Sequence, residues 1–229
     1  MDLAATLSTH GILPVVTVAA ADQAVPLAEA LVAGGLPLVE ITFRSEAAVG
    51  AIRAIRQGVP GMLVGAGTVL TLAQADAAIE AGAAFLVSPG LDLAIVDRAL
   101  ARGVAVLPGI ATPTELQAAL GRDLRLVKVF PAAALGGPAY LRALEAPYPM
   151  MRFVPTGGVS AANLADYLAL DCVAAVGGTW LARPATVAAG AWGEVERLVR
   201  EAAALAVRAR AGRPAPDPAG APLDRPVVA

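Results

Sequence analysis

The sequence predicts an α/β protein built as a single (β/α)8 barrel over residues 1–210. Eight short runs rich in Val, Ile and Leu recur along the chain, with starts roughly 20 to 27 residues apart. These runs are almost continuously apolar, which is typical of parallel strands buried on both faces. Amphipathic segments lie between them, and such barrels need ~250 residues, close to the 229 present. A doubly wound open sheet is the alternative architecture.

The eight predicted strands follow one another in chain order. They are ILPVVTV (12–18), LPLVEITF (36–43), MLVGAGTV (62–69), AFLVSPG (84–90), VAVLPGI (104–110), LRLVKVF (124–130), MRFVPTGG (151–158) and CVAAVGGTWL (172–181). The spacing of their starts leaves room for one helix and two loops after each strand.

The predicted helices occupy the segments between the strands. They are 21–35, 45–58, 71–83, 91–103 and 112–121, followed by a last helix at roughly 186–210. Several open on Ser, Thr or Asp, which cap helix N-termini, and close on Gly. We expect arginines 197, 200, 208, 210 and 213 to form a solvated face. Residues 211–229 contain five prolines and are predicted to form a disordered tail, not a second domain.

Composition limits the classes of function. A net charge of −2 without a basic block argues against a nucleic-acid partner. No run of 18 apolar residues and no secretory signal are visible, so we expect a cytoplasmic protein without a membrane partner. One histidine, His10, and one cysteine, Cys172, argue against a metal cluster and an internal disulfide. We expect His10 at the surface or in a helix cap, and Cys172 as a packed thiol.

Lys128 is the only lysine of the chain, whereas the other sixteen positive charges are arginines. It interrupts the apolar run 124–130. A dry strand disfavours the charged form of an amine, and a neutral amine can attack a carbonyl carbon and form a Schiff base. Arginine stays protonated and cannot replace it in this role. The alternative is a lysine at a strand edge that extends its ammonium group into solvent.

Two further charges belong to the second predicted strand. Active sites of such barrels lie at the carboxyl ends of the strands, and alternation places Glu40, Thr42 and Arg44 on one face. Glu40 suits a general acid and base, and Arg44 suits a substrate carboxylate. A salt bridge to Arg44 or Lys128 is the alternative for Glu40, and a solvated loop charge is the alternative for Arg44.

Glycine pairs follow the seventh and eighth predicted strands, at Gly157-Gly158 and Gly177-Gly178. Many barrels bind phosphate in the loops at these places. Glycine allows backbone N–H groups to approach an anion closely. The pairs therefore predict a phosphate site, with two tight turns as the alternative.

Eight motifs, in their order and spacing, closely resemble the 2-keto-3-deoxy-6-phosphogluconate (KDPG) aldolase family, some of whose members also cleave 4-hydroxy-2-oxoglutarate. The resemblance covers about residues 8–185. The motifs are GILPVV, LVEITFR, GAGTVL, SPG, LPGIATPTE, KVFPA, PTGGVS and GGTWL.

The resemblance implies a class I aldolase, a lyase that needs no metal or cofactor and is usually a homotrimer. Its substrate would be a phosphorylated 2-keto acid. The implied roles are Schiff-base formation by Lys128, proton transfer by Glu40, carboxylate binding by Arg44 and Thr68, pocket walls at Pro89 and Phe130, a position near the lysine and the substrate hydroxyls for Thr156, and phosphate binding at Gly157, Gly158, Gly178 and Thr179.

The resemblance leaves the substrate open. Ala133 stands where many gluconate-type relatives carry glutamate, whereas Thr156 favours the gluconate type. Cleavage of 4-hydroxy-2-oxoglutarate or of the galactonate epimer is the alternative activity. A phosphate-binding barrel without turnover is a third hypothesis, which the Glu40–Lys128 pair disfavours.

Overall fold

The computed structural model describes residues 2–211, which form nine strands, ten α-helices and a 3-10 helix at Ala21–Gln23. The strands are β1 Ile12–Val16, β2 Leu38–Thr42, β3 Leu63–Gly67, β4 Phe85–Val87, β5 Ala105–Leu107, β6 Gly109–Ile110, β7 Leu126–Val129, β8 Arg152–Pro155 and β9 Val176–Gly178. The helices are α1 Leu3–His10, α2 Ala24–Ala33, α3 Ala48–Gly58, α4 Leu72–Glu80, α5 Leu93–Ala101, α6 Pro113–Leu120, α7 Gly137–Glu145, α8 Leu164–Leu168, α9 Pro184–Ala188 and α10 Trp192–Ala209.

Parallel pairing closes these strands into a barrel. The order β5-β4-β3-β2-β1-β9 forms one sheet and β6-β7-β8 the other. Strands β5 and β6 are halves of one strand, interrupted at Pro108, which has no N–H to donate. An isolated bridge between Thr156 and Gly177 joins β8 to β9. The eight predicted strands are therefore present, and the predicted (β/α)8 fold is confirmed.

The strand register determines which side chains point into the barrel. Glu40 pairs with Val15 on one side and Gly65 on the other, and Lys128 pairs with Gly109. Side chains at paired positions share a face of the sheet. Glu40 and Lys128 both point inward, because they contact each other across the barrel.

The helices cover the outside of the barrel. On α10, the buried residues Val195, Val199 and Ala202 recur at helical spacing and form its apolar face. Val199 packs against α2, where a Cβ built on Gly34 would lie 2.5 Å from the Val199 side chain. The last helix thus packs against the helix that follows β1. No helix within residues 2–211 is long and apolar enough to cross a membrane.

The two ends of the described chain differ from the prediction. The N-terminal helix α1 was not predicted; Asp2 caps it by accepting a 3.0 Å hydrogen bond from the Ala5 N–H. The predicted helix at 186–210 is two helices, α9 and α10, separated at Gly190, whose φ is 61°. The predicted tail at 211–229 lies outside the described residues, apart from Ala211.

Arg210 was predicted to belong to a solvated face, and this was wrong. Its guanidinium donates hydrogen bonds to the backbone carbonyls of Ser8, Val173 and Ala174. These carbonyls belong to α1 and to the segment that leads into β9. These hydrogen bonds connect the carboxyl end of α10 to α1 and to the segment before β9.

Candidate active site

A buried ion pair lies at the centre of the barrel. Lys128 Nζ on β7 lies 3.5 Å from Glu40 Oε1 on β2, and the two side chains are 6% and 1% exposed. Burying two charges costs several kcal/mol per ion, so such a pair is weak evidence for stability. Buried ionisable groups that face each other are more typical of functional sites. The strand-edge alternative for Lys128 is excluded by its burial.

Glycines on β3 make room for the pair. A Cβ built on Gly67 would lie 2.0 Å from Glu40 Oε1, and one built on Gly65 would lie 2.3 Å from the ring of Phe85. Real side chains never approach this closely, so both positions need glycine. Because Gly67 is two residues beyond the register partner of Glu40, the carboxylate extends from its own backbone toward the mouth.

Phe130 and Thr156 lie beside the lysine. The Phe130 ring centroid is 5.6 Å from Lys128 Nζ, within the range of a cation–π contact. The Thr156 hydroxyl donates a 3.4 Å hydrogen bond to the Val154 carbonyl. A Cβ on Gly177 would lie 2.1 Å from Thr156 Oγ1. The first glycine of the second pair therefore accommodates Thr156.

Thr68 and Pro89 follow β3 and β4. Thr68 has a φ of 55°, in the left-handed region. For a residue with a Cβ this conformation costs roughly 1–2 kcal/mol, and such strain is often found at functional sites. The backbone at Pro89 packs against β6, since a Cβ on Gly109 would lie 2.1 Å from the Pro89 carbonyl oxygen.

Arg44 does not join the buried pair. It lies beyond the end of β2, and its side chain is exposed. Together with Phe43, Ser45 and Gln74 it lines a surface cavity of about 440 Å³. Within residues 2–211 it makes no hydrogen bond or ion pair. Of the three charged side chains that the sequence suggests for the site, Lys128 and Glu40 therefore contact each other in this structure and Arg44 does not.

Local hydrogen bonds stabilise the turn after β8. Gly157 and Gly158 have φ values of 92° and 81°, in the region that favours glycine. Asn163 donates a 2.9 Å hydrogen bond from Nδ2 to the Gly158 carbonyl and accepts one of 2.8 Å from the Ser160 N–H. Asn163 was not predicted as a site residue, although its place soon after a glycine pair is a usable signal for a turn-stabilising side chain.

At the second glycine turn, Gly178 and Thr179 have different surroundings. A Cβ on Gly178 would lie 2.1 Å from the Trp180 ring, so this glycine allows the indole to pack. Thr179 is exposed. In the first glycine turn, a Cβ on Gly158 would lie 2.4 Å from the Ala133 Cβ, so Ala133, which stands where many gluconate-type relatives carry glutamate, packs directly against that turn.

The remaining titratable candidates lie away from the pair. Cys172 is fully buried, and burial, followed by the charge and hydrogen bond of Glu145, raises the pKa of its thiol to about 12. Burial lowers the pKa of His10, which lies in the last turn of α1. Within the described part of the chain, no group of three or more His, Cys, Asp or Glu side chains is arranged to hold a metal ion.

The parallel barrel and its buried lysine–glutamate pair are typical of class I aldolases. Comparison with known proteins gives the same class, because the family model described as KDPG and KHG aldolase matches residues 3–198. The chain therefore belongs to the KDPG and KHG aldolase family.

Individual relatives agree with this assignment. A 2-dehydro-3-deoxy-phosphogluconate aldolase from Treponema pallidum is 47% identical over 83% of this chain and 90% of its own. The KHG/KDPG aldolase of Escherichia coli is 45% identical over 86% and 92%. A crystal structure of KDPG aldolase from Legionella pneumophila, with pyruvate captured as a covalent carbinolamine, has a TM-score of 0.83, 35% identity and coverage of 86% and 96%.

Proposed function

We propose that this chain is a class I aldolase that cleaves KDPG to pyruvate and glyceraldehyde 3-phosphate. The observation that carries the proposal is the buried contact of 3.5 Å between the sole lysine and a glutamate. The family membership and the named relatives support the same reaction. The captured carbinolamine of the Legionella relative supports covalent chemistry between pyruvate and an amine.

The first step joins the substrate to the enzyme. Glu40 accepts a proton from the Lys128 ammonium group, and the neutral amine then attacks the C2 ketone and forms a carbinolamine. Glu40 delivers a proton to the departing hydroxyl, water leaves, and a protonated imine remains. At 3.5 Å, Glu40 Oε1 is near enough to exchange protons with the lysine nitrogen after a small adjustment.

The second step breaks the C3–C4 bond. Glu40, directly or through a water molecule, takes the proton of the C4 hydroxyl, and the electron pair of the bond moves into the imine to form an enamine. Glyceraldehyde 3-phosphate leaves. The enamine is then protonated at C3, and hydrolysis of the imine releases pyruvate and restores the amine. The imine supplies the electron sink, so we propose a reaction without a metal or cofactor.

The ends of the substrate would contact different strands. We propose that Thr68 and Arg44 bind the C1 carboxylate, which requires the exposed Arg44 side chain to turn toward the mouth. Pro89 and Phe130 would form the walls of the pocket. Thr156 would lie near the reacting carbons. The phosphate would be bound by Gly157, Gly158, Gly178 and Thr179, where backbone N–H groups and one exposed hydroxyl are available.

Borohydride reduction in the presence of pyruvate tests the Schiff base. We expect a three-carbon unit to be fixed at Lys128 and located by peptide mass spectrometry. A Lys128→Arg variant serves as the control, because it retains the charge and the N-terminal amine but has no other lysine. A chain whose Lys128 stays unlabelled would contradict the mechanism.

The substrate itself is tested by comparing rates. The Escherichia coli relative is named for both KHG and KDPG, so 4-hydroxy-2-oxoglutarate is the second candidate, with the galactonate epimer as a third. Initial rates of pyruvate release from the three compounds would rank them. We expect KDPG to have the highest kcat/KM. Equal kcat/KM values for KDPG and 4-hydroxy-2-oxoglutarate, which has no phosphate, would contradict a phosphate-specific site.

We further propose a homotrimer that works in the cytoplasm, as the family resemblance implies. Light scattering coupled to gel filtration would measure the mass of the assembly. A monomeric species at micromolar concentration would contradict the trimer.

A further inference from the structure

Two threonine hydroxyls meet at the mouth of the barrel beside Glu40. Thr17 Oγ1 and Thr42 Oγ1 are 2.7 Å apart. Thr42 ends β2 and is 1% exposed, whereas Thr17 directly follows β1 and is partly exposed. We call these two residues the hydroxyl pair. None of the roles described above uses it.

The strand register places the hydroxyl pair on the inner face. Val15 is paired with Glu40 and Val16 with Ile41, and the next step of this ladder sets Thr17 beside Thr42. Both therefore share the inward face of Glu40, one layer nearer the mouth. The Glu40 carboxylate rises into the same layer, because its Oε1 lies over Gly67, the register partner of Thr42.

The hydroxyl pair has hydrogen-bonding capacity to spare. Each hydroxyl has one hydrogen and two lone pairs, and their mutual contact uses one hydrogen. Within residues 2–211 neither side chain makes another hydrogen bond. One hydrogen and several lone pairs therefore remain for a ligand.

The barrel order places the hydroxyl pair between the two ends of the reaction. Strand β1 lies between β9 and β2; β9 ends at the proposed phosphate site and β2 carries Glu40. In the proposed binding mode the C4 hydroxyl of the substrate faces Glu40 and its C6 phosphate lies at the glycine turns. The C5 atom between them then lies at the end of β1. Thr17 is the inward side chain there.

We propose that Thr17 and Thr42 together bind the C5 hydroxyl of the substrate and thereby select for a hydroxylated chain. This inference rests on the proposed function and adds a specificity-determining pair to it. 4-Hydroxy-2-oxoglutarate has a carboxylate at C5 and no hydroxyl there, so the pair would favour KDPG over that alternative.

Matched substrates and variants test the pair. Cleavage of KDPG and of its 5-deoxy analogue is followed by pyruvate release in the wild type, Thr17→Val and Thr17→Ser. Valine keeps the shape and removes the hydroxyl, whereas serine keeps the hydroxyl. We expect the ratio of kcat/KM for the two substrates to fall about tenfold in the valine variant, as for one lost hydrogen bond, and to recover in the serine variant.

Thr42→Val provides a second variant in case Thr17→Val does not fold, and the same fall in the ratio is expected. An unchanged ratio in a folded valine variant would overturn the proposal. Any loss of activity would then be equal for both substrates and would result from a change at Glu40 or in the fold, not from a lost contact to the C5 hydroxyl. Failure of the proposed function itself is recognised separately, in the wild type, by the absence of borohydride trapping with pyruvate, a reaction in which C5 takes no part.

Discussion

Replacement of Gly67 by alanine tests how tightly the position of Glu40 is determined. The new Cβ would lie 2.0 Å from Glu40 Oε1, 2.3 Å from its Cγ and 2.5 Å from its Cδ. An ordinary contact begins at 3.4 Å, so the carboxylate must move by about 1.4 Å, the difference between these distances. Because Gly67 is not in the left-handed region, alanine suits the backbone, and the strain falls on the Glu40 side chain.

The magnitude follows from the displacement. A misplacement of about 1 Å at a catalytic group can cost about 10²-fold in rate, and loss of a positioned acid or base costs about 10²–10⁴-fold. We therefore expect kcat for Gly67→Ala to fall about 10²- to 10³-fold. Overpacking costs about 1–3 kcal/mol, so we expect the variant to remain folded at 25 °C.

The assay couples pyruvate release to lactate dehydrogenase and follows NADH, with circular dichroism to confirm folding. Gly193→Ala is the matched control, because a Cβ there meets no atom within 4 Å, and we expect wild-type kcat. The kcat of the Glu40→Gln variant gives the lower limit of the expected range. A folded Gly67→Ala variant with kcat within about threefold of the wild type would refute the argument that this glycine sets the position of the carboxylate.

Three further predictions concern other parts of the barrel. Gly177→Ala, whose Cβ would lie 2.1 Å from Thr156 Oγ1, should lower kcat/KM for KDPG at least about tenfold; unchanged kinetics would contradict a role for Thr156. Arg210→Ala leaves three backbone carbonyls without this donor and should destabilise the fold by about 2–4 kcal/mol, measured by urea unfolding, whereas exposed Arg208→Ala should change it by less than about 0.5 kcal/mol. Cys172 should resist thiol reagents until the chain unfolds. Since burial raises its pKa from 9.0 to about 12, its contribution to stability is complete below pH 9 and is lost as the pH rises toward 12.

The strands and the inward direction of Glu40 and Lys128 could be predicted because both depend on local periodicity. A run of apolar residues indicates a strand buried on both faces, and alternation then determines which residues share its face. Glu40 and Lys128 break such runs with charges, which marks them as candidate site residues before any contact is known. Their separation of 88 positions in the chain carries no such signal; the barrel closure alone brings them together.

Other features depend on contacts that have no local signature. Alternation predicts a face only while the chain remains a strand, and β2 ends at Thr42; Arg44, two residues later, is therefore exposed instead of inward. Arg210 occupies a helical position that resembles any solvated arginine, and its carbonyl partners lie 36 and more positions away. The surroundings of Arg44 and Arg210 therefore depend on the assembled barrel and not on the local sequence.

Glycines on the inner face explain how a barrel interior can hold polar side chains at all. Four inward positions, Gly65, Gly67, Gly109 and Gly177, each leave space that another group fills to within 2.0 to 2.3 Å of where a Cβ would stand. At Gly65 the Phe85 ring fills this space. At the other three positions polar groups fill it, namely the Glu40 carboxylate, the Pro89 carbonyl and the Thr156 hydroxyl. Small-to-large exchange at these positions would close the site, since a packed interior tolerates little added volume.

The same reasoning applies to the surroundings of the lysine. Lys128 is paired with Gly109 on one side and Val154 on the other, so one neighbour in its own layer has no side chain. A ketone approaching Nζ therefore meets Glu40 and Phe130, while the Pro89 carbonyl occupies the space beside Gly109. Replacing arginine elsewhere by lysine would not recreate this chemistry, because a nucleophilic amine needs a dry strand and a nearby carboxylate together.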